Sequence, residues 1–385
     1  RERLGAILRS PLLAARLAAG RYDFTYDQMP VSMRGMSLSR RLNLLRSGMN
    51  LLRRRSKAWS RPLHMQFELA GVCNLHCPVC PTGTKELERG AQYMDPDLFE
   101  RAYSETAPYL LTASLWGWGE PVLHPRLREI LEIASRYDAV TFLSTNGMQL
   151  ERPHVIDALL DYPPSFLIVA IDGLSDETNQ EFRVGAKLER ILNGVKRLAA
   201  LREERGNTLP VLHMRFMVMD HNEHELPQVE AFARDNGFDM LSLRTLALVD
   251  SEQTLQAHDR MIPSSEAYRA YDYDAGERIR KSDYVCMQPF WFPSVYSDGR
   301  LVSCEQDFNA AEPSGVITKE RSFMELWKGE AAARVRSTVR DHPESYSFCR
   351  NCPAWDRETT DTSISATFFD EKLTRPFIAR RRSRG

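Results

Sequence analysis

The chain has 385 residues, 43% of them apolar and 27% charged. That usage excludes wholesale disorder, and at roughly 150 residues per domain it implies two to three domains. No run of 18 apolar residues occurs, so no spanning helix is expected; no secretory signal pattern is visible, so a cytoplasmic location is expected. The net charge of −1 conceals a segregation: residues 28–67 hold nine basic residues and no acid, residues 372–385 hold six and no acid, and the rest carries −16. A basic arm and tail on an acidic body fit an anionic partner, a membrane surface or nucleic acid; a solvated face is the bland reading.

Residues 1–62 read as a basic, amphipathic helical arm. Leu42, Leu45, Met49 and Leu52 recur at intervals of three, four and three, one stripe of a helix among arginines. Such a stripe suits a helix lying on an anionic membrane surface, peripheral on the inner face, or one packed on the protein body. From residue 63 to 250 strands alternate with helices. Strands are expected at 64–70, 112–117, 140–145, 165–171, 211–219 and 239–245, and helices at 97–108, 125–136, 153–160, 187–204 and 223–236. Six strands in such alternation imply an α/β fold with a parallel sheet and right-handed crossovers, its chemistry at the strand C-terminal ends. Residues 251–283 read as a connector. Residues 284–356 form a small cysteine-bearing domain with a hairpin (WFPSVYSDGRLVSC) and a helix near 322–338. Residues 357–385 read as a polar-to-basic tail.

Seven cysteines are present, five of them in the tight groups Cys73–Cys77–Cys80 and Cys349–Cys352. In a long chain without a secretory signal, clustered cysteines read as metal ligands rather than disulfides. Cys73-Asn-Leu-His-Cys77-Pro-Val-Cys80 follows the first expected strand. Three thiolates on one loop leave a four-iron cubane with one iron lacking a protein ligand. Zinc is the competing reading, with His76 as an awkwardly placed fourth ligand.

The segment resembles the C-x3-C-x2-C signature of the radical S-adenosylmethionine (SAM) superfamily, with Val79 where an aromatic residue is common. The resemblance implies a partial (β/α)6, TIM-like barrel and a [4Fe–4S] cluster on Cys73, Cys77 and Cys80. It also implies SAM chelating the open iron, an external reductant of flavodoxin or ferredoxin type, and cleavage to a 5′-deoxyadenosyl radical that abstracts substrate hydrogen. Further segments match in order. Gly117-Trp118-Gly119-Glu120-Pro121 is similar to the family's G-G-E-P, which meets the SAM amino group, with Trp118 replacing a glycine; Gly119 and Glu120 are the safer assignments. Ser144-Thr145-Asn146-Gly147 resembles T-N-G, which implies Ser144 and Asn146 near the ribose. Ile171-Asp172-Gly173 resembles S-I-D-G, and Glu181–Gly185 resembles a segment whose arginine, here Arg183, faces the SAM carboxylate.

Cys286-x12-Gly299-x4-Cys304, followed by Cys349-x2-Cys352, resembles the SPASM/twitch extensions of the family, in the shorter form. It implies an auxiliary [4Fe–4S] cluster closed by Cys286, Cys304, Cys349 and Cys352, although four thiolates also suit zinc. Glu68, Arg215 and Arg244 are charged positions expected in the barrel interior. Each is a candidate catalytic or substrate-contacting group, with a structural ion pair for Glu68 as the alternative. His221-Asn-Glu-His224-Glu225 does not have zinc-hydrolase spacing and reads as a capping-box-like start to the helix at 223–236. The expected function is hydrogen abstraction followed by oxidation through the auxiliary cluster, on a peptide, sugar or lipid. A redox-neutral outcome, a two-cluster electron carrier and a zinc-stapled nucleic-acid binder are the alternatives.

Overall fold

The computed structural model describes residues 11–26, 28–53, 55–247, 260–271, 273–274, 277–278, 286–350, 352, 362–374 and 377–378. Most of the expected connector at 251–283 and the basic end of the tail therefore lie outside the described residues, as does Arg54.

The strands are β1 (Asp23–Tyr26), β2 (Met29–Ser32), β3 (His64–Phe67), β4 (Thr112–Ser114), β5 (Val140–Thr145), β6 (Phe166–Ala170), β7 (Val211–Val218), β8 (Met240–Thr245), β9 (Tyr273–Asp274), β10 (Glu277–Arg278), β11 (Ser294–Val295), β12 (Arg300–Val302), β13 (Gly315–Val316), β14 (Ser363–Phe368) and β15 (Phe377–Ile378). The helices are α1 (11–18), α2 (Leu38–Leu52), α3 (Pro96–Thr106), α4 (Leu127–Ser135), α5 (Pro153–Asp161), α6 (Asp176–Phe182), α7 (Leu188–Glu204), α8 (Leu226–Asp235), α9 (Gln288–Trp291), α10 (Phe323–Lys328) and α11 (Glu330–Asp341). All six expected strands form, as β3 to β8.

Ten strands make one sheet in the order β13-β12-β11-β3-β4-β5-β6-β7-β8-β14. The run β3 to β8 is parallel throughout, the arrangement of the expected partial barrel. Strand β6 is the unbroken apolar run FLIVA, buried along its whole length, as a parallel strand covered on both faces must be. One face packs on helices whose apolar positions recur at helical spacing. In α4 these are Leu127, Ile130, Leu131 and Ala134, each buried Leu or Ile contributing about 1.5–3 kcal/mol. Helix α3 starts with Pro96 at its first position, where no intrahelical N–H bond is lost, and Asp95 accepts the Asp97 N–H at 2.9 Å.

The opposite face is capped at one end by the arm. Met29, Val31, Met33 and Met36 pack in one cluster with Phe142, Phe166, Ile168 and Met240, so the β1–β2 hairpin plugs the sheet. The arm is thus a hairpin as well as helices; the expected helical arm did not include β1 and β2, which lack the helical period.

Both edges of the sheet depart from the expected boundaries. Strand β11 pairs in parallel with β3 (Ser294 with Gln66) and antiparallel with β12. The hairpin of the cysteine-bearing region thereby extends the same sheet, and Gly299 takes the positive φ of +84° that its turn requires. At the other edge β14 pairs antiparallel with β8. That corrects the reading of 357–385 as a tail: the period-two alternation in SISATF was masked by its polar composition. The single helix expected near 322–338 is two, α10 and α11, broken at Gly329, whose extended backbone caps both. The expected capping role of Asn222 is also corrected. Its amide donates to the Asp172 and Met217 carbonyls at 2.9 and 2.8 Å and its oxygen accepts from Met219 N at 2.7 Å, because tying β7 to the loop after β6 satisfies buried backbone groups.

Candidate active site

The three-cysteine loop leaves β3 and is held by close backbone approach. A methyl group on Gly83 would sit 2.4 Å from the Cys77 carbonyl oxygen and 2.6 Å from Cys77 N; on Gly119 it would sit 2.1 Å from the Ala70 carbonyl oxygen. Glycine at both positions is what lets the chain fold back on the loop. Cys73, Cys77 and Cys80 lie close enough to perturb one another. Burial pushes the Cys73 thiol up to about 12, with Glu120 adding to the rise, and the Cys77 thiol up to about 11, against the lowering effect of Arg183. Buried thiols that resist ionisation call for a cation to stabilise their thiolates.

Two opposite charges flank the loop. Glu120 accepts from Thr145 Oγ1 at 2.7 Å, Asn146 N at 2.7 Å and Val122 N at 3.2 Å. Burial still pushes its carboxyl up to about 7, so an ammonium group beside it would be stabilising. On the Cys77 side the Arg183 Nη1 lies 4.0 Å from the Cys77 sulfur and its Nε donates to Asp172 at 2.6 Å. Asp172 is fully buried and also accepts from Met217 N at 2.7 Å. It orients Arg183 beside the three-cysteine loop. Asn146 reaches the Cys73 sulfur at 3.7 Å and Asn74 at 3.0 Å. Of the Ser144–Gly147 segment, Thr145 and Asn146 make the contacts to Glu120; Ser144 is half-buried one residue earlier, on the other strand face from Thr145.

The second cysteine set also converges. Burial pushes the Cys304 thiol well up, with Cys286, Cys352 and Cys349 each adding to the rise, and all four line one cavity of about 550 Å³. Among the described residues no three His, Cys, Asp or Glu side chains close on a single metal ion. Zinc needs its donors at about 2.0–2.3 Å from one point, whereas a cubane spreads its thiolates over separate irons. Thiol-only sets of three and four that perturb one another are donor sets of the kind that hold iron–sulfur clusters.

The cavity runs between the auxiliary cysteines and the arm. Tyr26 of β1 stacks on His64 with ring centroids 4.9 Å apart and its hydroxyl lies 3.3 Å from Ser114 Oγ. Arg215, Arg244 and Gln66 line the cavity, together with Glu305. Arg215 lies over the Trp116 ring at 5.9 Å, and Arg244 donates to the Thr362 and Ser363 hydroxyls at 2.8 Å. Glu305 accepts from Gln66 Nε2 at 2.8 Å, and burial pushes its carboxyl up. Glu305 was missed from sequence, although it directly follows Cys304.

Glu68, expected as a catalytic candidate, is in a different environment. It is fully buried and takes a bidentate grip from Arg89 at 2.8 and 2.7 Å, with Ser297 Oγ at 2.9 Å and Trp118 N at 3.2 Å. Arg89 stacks on Tyr296 at 3.7 Å. This pair joins β3, the three-cysteine loop and the β11–β12 hairpin, the structural ion pair of the two readings. Trp118, the departure from the glycine pattern, has a physical role as well: its indole donates to the Glu305 carbonyl at 3.0 Å.

A family model described as the radical SAM superfamily matches residues 67–233, and one described as an iron–sulfur cluster-binding domain, SPASM, matches residues 286–353. The PqqA peptide cyclase of Rhodopseudomonas palustris is 30% identical over 72% of this chain and 76% of its own length. The tungsten-containing aldehyde ferredoxin oxidoreductase cofactor-modifying protein of Pyrococcus furiosus is 27% identical over 77% of this chain and 90% of its own. Among solved structures, Streptococcus suis SuiB bound to S-adenosylmethionine superposes with a TM-score of 0.57 at 14% identity, covering 83% of this chain and 82% of that one. The fold, the two converging thiol sets and these matches agree: the chain belongs to the radical SAM superfamily, in the branch with a SPASM domain, and with that family it takes a SAM-binding [4Fe–4S] cluster, S-adenosylmethionine and an auxiliary iron–sulfur cluster.

Proposed function

We propose that this enzyme removes a hydrogen atom from a peptide substrate held in the cavity and oxidises it further, with the auxiliary site accepting the electron. When bound, the cluster and S-adenosylmethionine supply hydrogen-atom abstraction, and the auxiliary cluster supplies a one-electron acceptor. Cys73, Cys77 and Cys80 would hold the first cluster; Cys286, Cys304, Cys349 and Cys352 would hold the second. The observation that carries the reading is the charge pair across the three-cysteine loop. A buried carboxylate, Glu120, stands near Cys73 and a partly exposed guanidinium, Arg183, near Cys77, a match for the ammonium and carboxylate of an amino acid moiety. Thr145 and Asn146 hold Glu120, and Asp172 holds Arg183, so neither charge has to reorganise on binding.

In the cavity Arg215 and Arg244 orient polar groups of the substrate, and Trp116 with Tyr26 excludes water. Glu305, held by Gln66 and lying beside Cys304 in sequence, takes the proton from the substrate as the second electron leaves it. With both groups bound, the balance would be one hydrogen atom lost to the radical chemistry they supply, one proton taken by Glu305 and one electron passed to the acceptor held by the auxiliary cysteines. An external reductant of flavodoxin or ferredoxin type supplies the electron that starts the cycle. A peptide substrate is supported by the relatives: one is a PqqA peptide cyclase, and SuiB has been solved with its precursor peptide SuiA. The test is anaerobic turnover with candidate peptides, followed by mass spectrometry. The expected product lacks two hydrogens and accumulates one-to-one with 5′-deoxyadenosine; a product of unchanged mass with consumed S-adenosylmethionine refutes the oxidation.

A further inference from the structure

Helix α2 is inside out. Its buried residues are Arg40, Asn43, Ser47 and Asn50, at intervals of three, four and three. Arg40 donates to Asp138 at 2.7 Å and to the Ala107 carbonyl at 3.0 Å. Asn43 exchanges bonds with the Arg61 backbone at 3.2 and 2.9 Å, and Asn50 accepts from Trp59 N at 3.3 Å. The helix is thus docked by this polar stripe, with Leu44 packed beside it on the core cluster. The apolar stripe read from the sequence points the other way: Leu38 is 59% exposed, Leu42 40% and Met49 42%, with Leu45 half-buried between them. The side chain of Leu52 lies outside the described residues. A helix that buried its apolar face against the body would show the opposite pattern.

The surroundings extend the surface. Leu12 and Leu13 of α1 and Trp59 after α2 are exposed too, so six of the nine large hydrophobic side chains exposed among the described residues belong to the arm. Helix α1 is tied alongside α2 by Arg41 Nη1, which donates to the Ala18 carbonyl at 2.7 Å. On helical geometry Arg46 and Arg53 flank the apolar stripe on one side and Arg41 on the other, and Arg34, Arg55 and Lys57 are exposed nearby. Residues 28–67 contain no acid. Apolar side chains flanked by Arg41, Arg46 and Arg53 complement a surface with acyl chains beneath anionic headgroups. The other face of this arm walls the cavity through Phe24 and Tyr26.

We propose that the outer face of the arm, centred on Leu38, Leu42 and Met49, docks the enzyme peripherally on an anionic lipid surface. Among the described residues no helix is long and apolar enough to cross a membrane, and the attachment proposed is by burial of this face. Docking does not depend on the proposed reaction. The test uses the full chain with both clusters reconstituted anaerobically, co-sedimented with vesicles of phosphatidylcholine alone or mixed with phosphatidylglycerol. Wild type is expected to pellet with the mixed vesicles and to be released by 1 M salt, where the Debye length falls to about 3 Å. Leu42→Glu/Met49→Glu and, separately, Arg46→Glu/Arg53→Glu are expected to weaken binding by about tenfold or more. Iron content and 5′-deoxyadenosine formation in solution, read in parallel, should be unchanged because these side chains face outward; their loss in wild type would fail the reaction and not the docking. Equal pelleting with both vesicle types, unaltered binding by the first variant, or a wild-type dimer that the first variant converts to monomer without any vesicle binding would each overturn the proposal.

Discussion

Replacing Arg89 by methionine tests how the two cysteine-bearing regions are held in register. The Glu68 carboxylate has lost all contact with solvent and receives two bonds from Arg89, two from Ser297 and one from Trp118 N. Removing the guanidinium leaves an uncompensated buried carboxylate, which costs about 3–5 kcal/mol. The Phe308 carbonyl also loses its Arg89 donor, at about 1–3 kcal/mol if left unsatisfied. Glu68→Gln leaves the buried cation instead and should cost a similar amount. The double variant Glu68→Gln/Arg89→Met leaves no buried charge, retains volume and keeps Ser297 and Trp118 partners for the amide, so it should be more stable than either single variant. Denaturant midpoints of the four proteins at neutral pH give the cycle. Additive single-variant losses in the double, within about 0.5 kcal/mol, would refute the pair as the unit that holds β3 to the hairpin.

Three other outcomes are expected. Gly83→Ala forces a methyl group into the Cys77 backbone and should lower bound iron by about half, the first cluster lost and the auxiliary one kept, as read by iron and sulfide analysis with electron paramagnetic resonance. Glu305→Gln preserves the contact to Gln66 and should leave 5′-deoxyadenosine formation intact while lowering oxidised product by about 100-fold or more. For His64, burial pushes the folded-state value from 6.5 down to about 3. The unfolded chain therefore gains a proton as pH falls through 6.5 while the folded chain does not, so this share of stability is complete above that pH and is lost below it. At pH 5 the loss is at most about 2 kcal/mol, and His64→Gln should flatten the acid limb of the stability profile by that amount.

The six central strands and their order were legible because parallel strands buried on both faces read as apolar runs such as FLIVA, separated by helical periods. The two cysteine sets were legible because their spacing along the chain is itself the motif. What stayed hidden depends on partners distant in sequence. Nothing near Glu68 announces Arg89, and nothing in α2 announces that its polar stripe is the one buried, since Asp138 and the Ala107 carbonyl are supplied from the loops after α4 and α3. Strand β14 was hidden by composition: its backbone pairs with β8 whatever its side chains are.

The central claim is that three thiols and a flanking charge pair hold S-adenosylmethionine on an open cluster. Incubating the anaerobically reconstituted protein with S-adenosylmethionine and dithionite, and measuring 5′-deoxyadenosine, tests it most directly. Wild type and Cys349→Ser should both form 5′-deoxyadenosine, whereas Cys77→Ser and Glu120→Ala should form at least about 100-fold less. A wild-type protein with both clusters loaded that releases none, or a Cys77→Ser protein that releases as much as wild type, would contradict it.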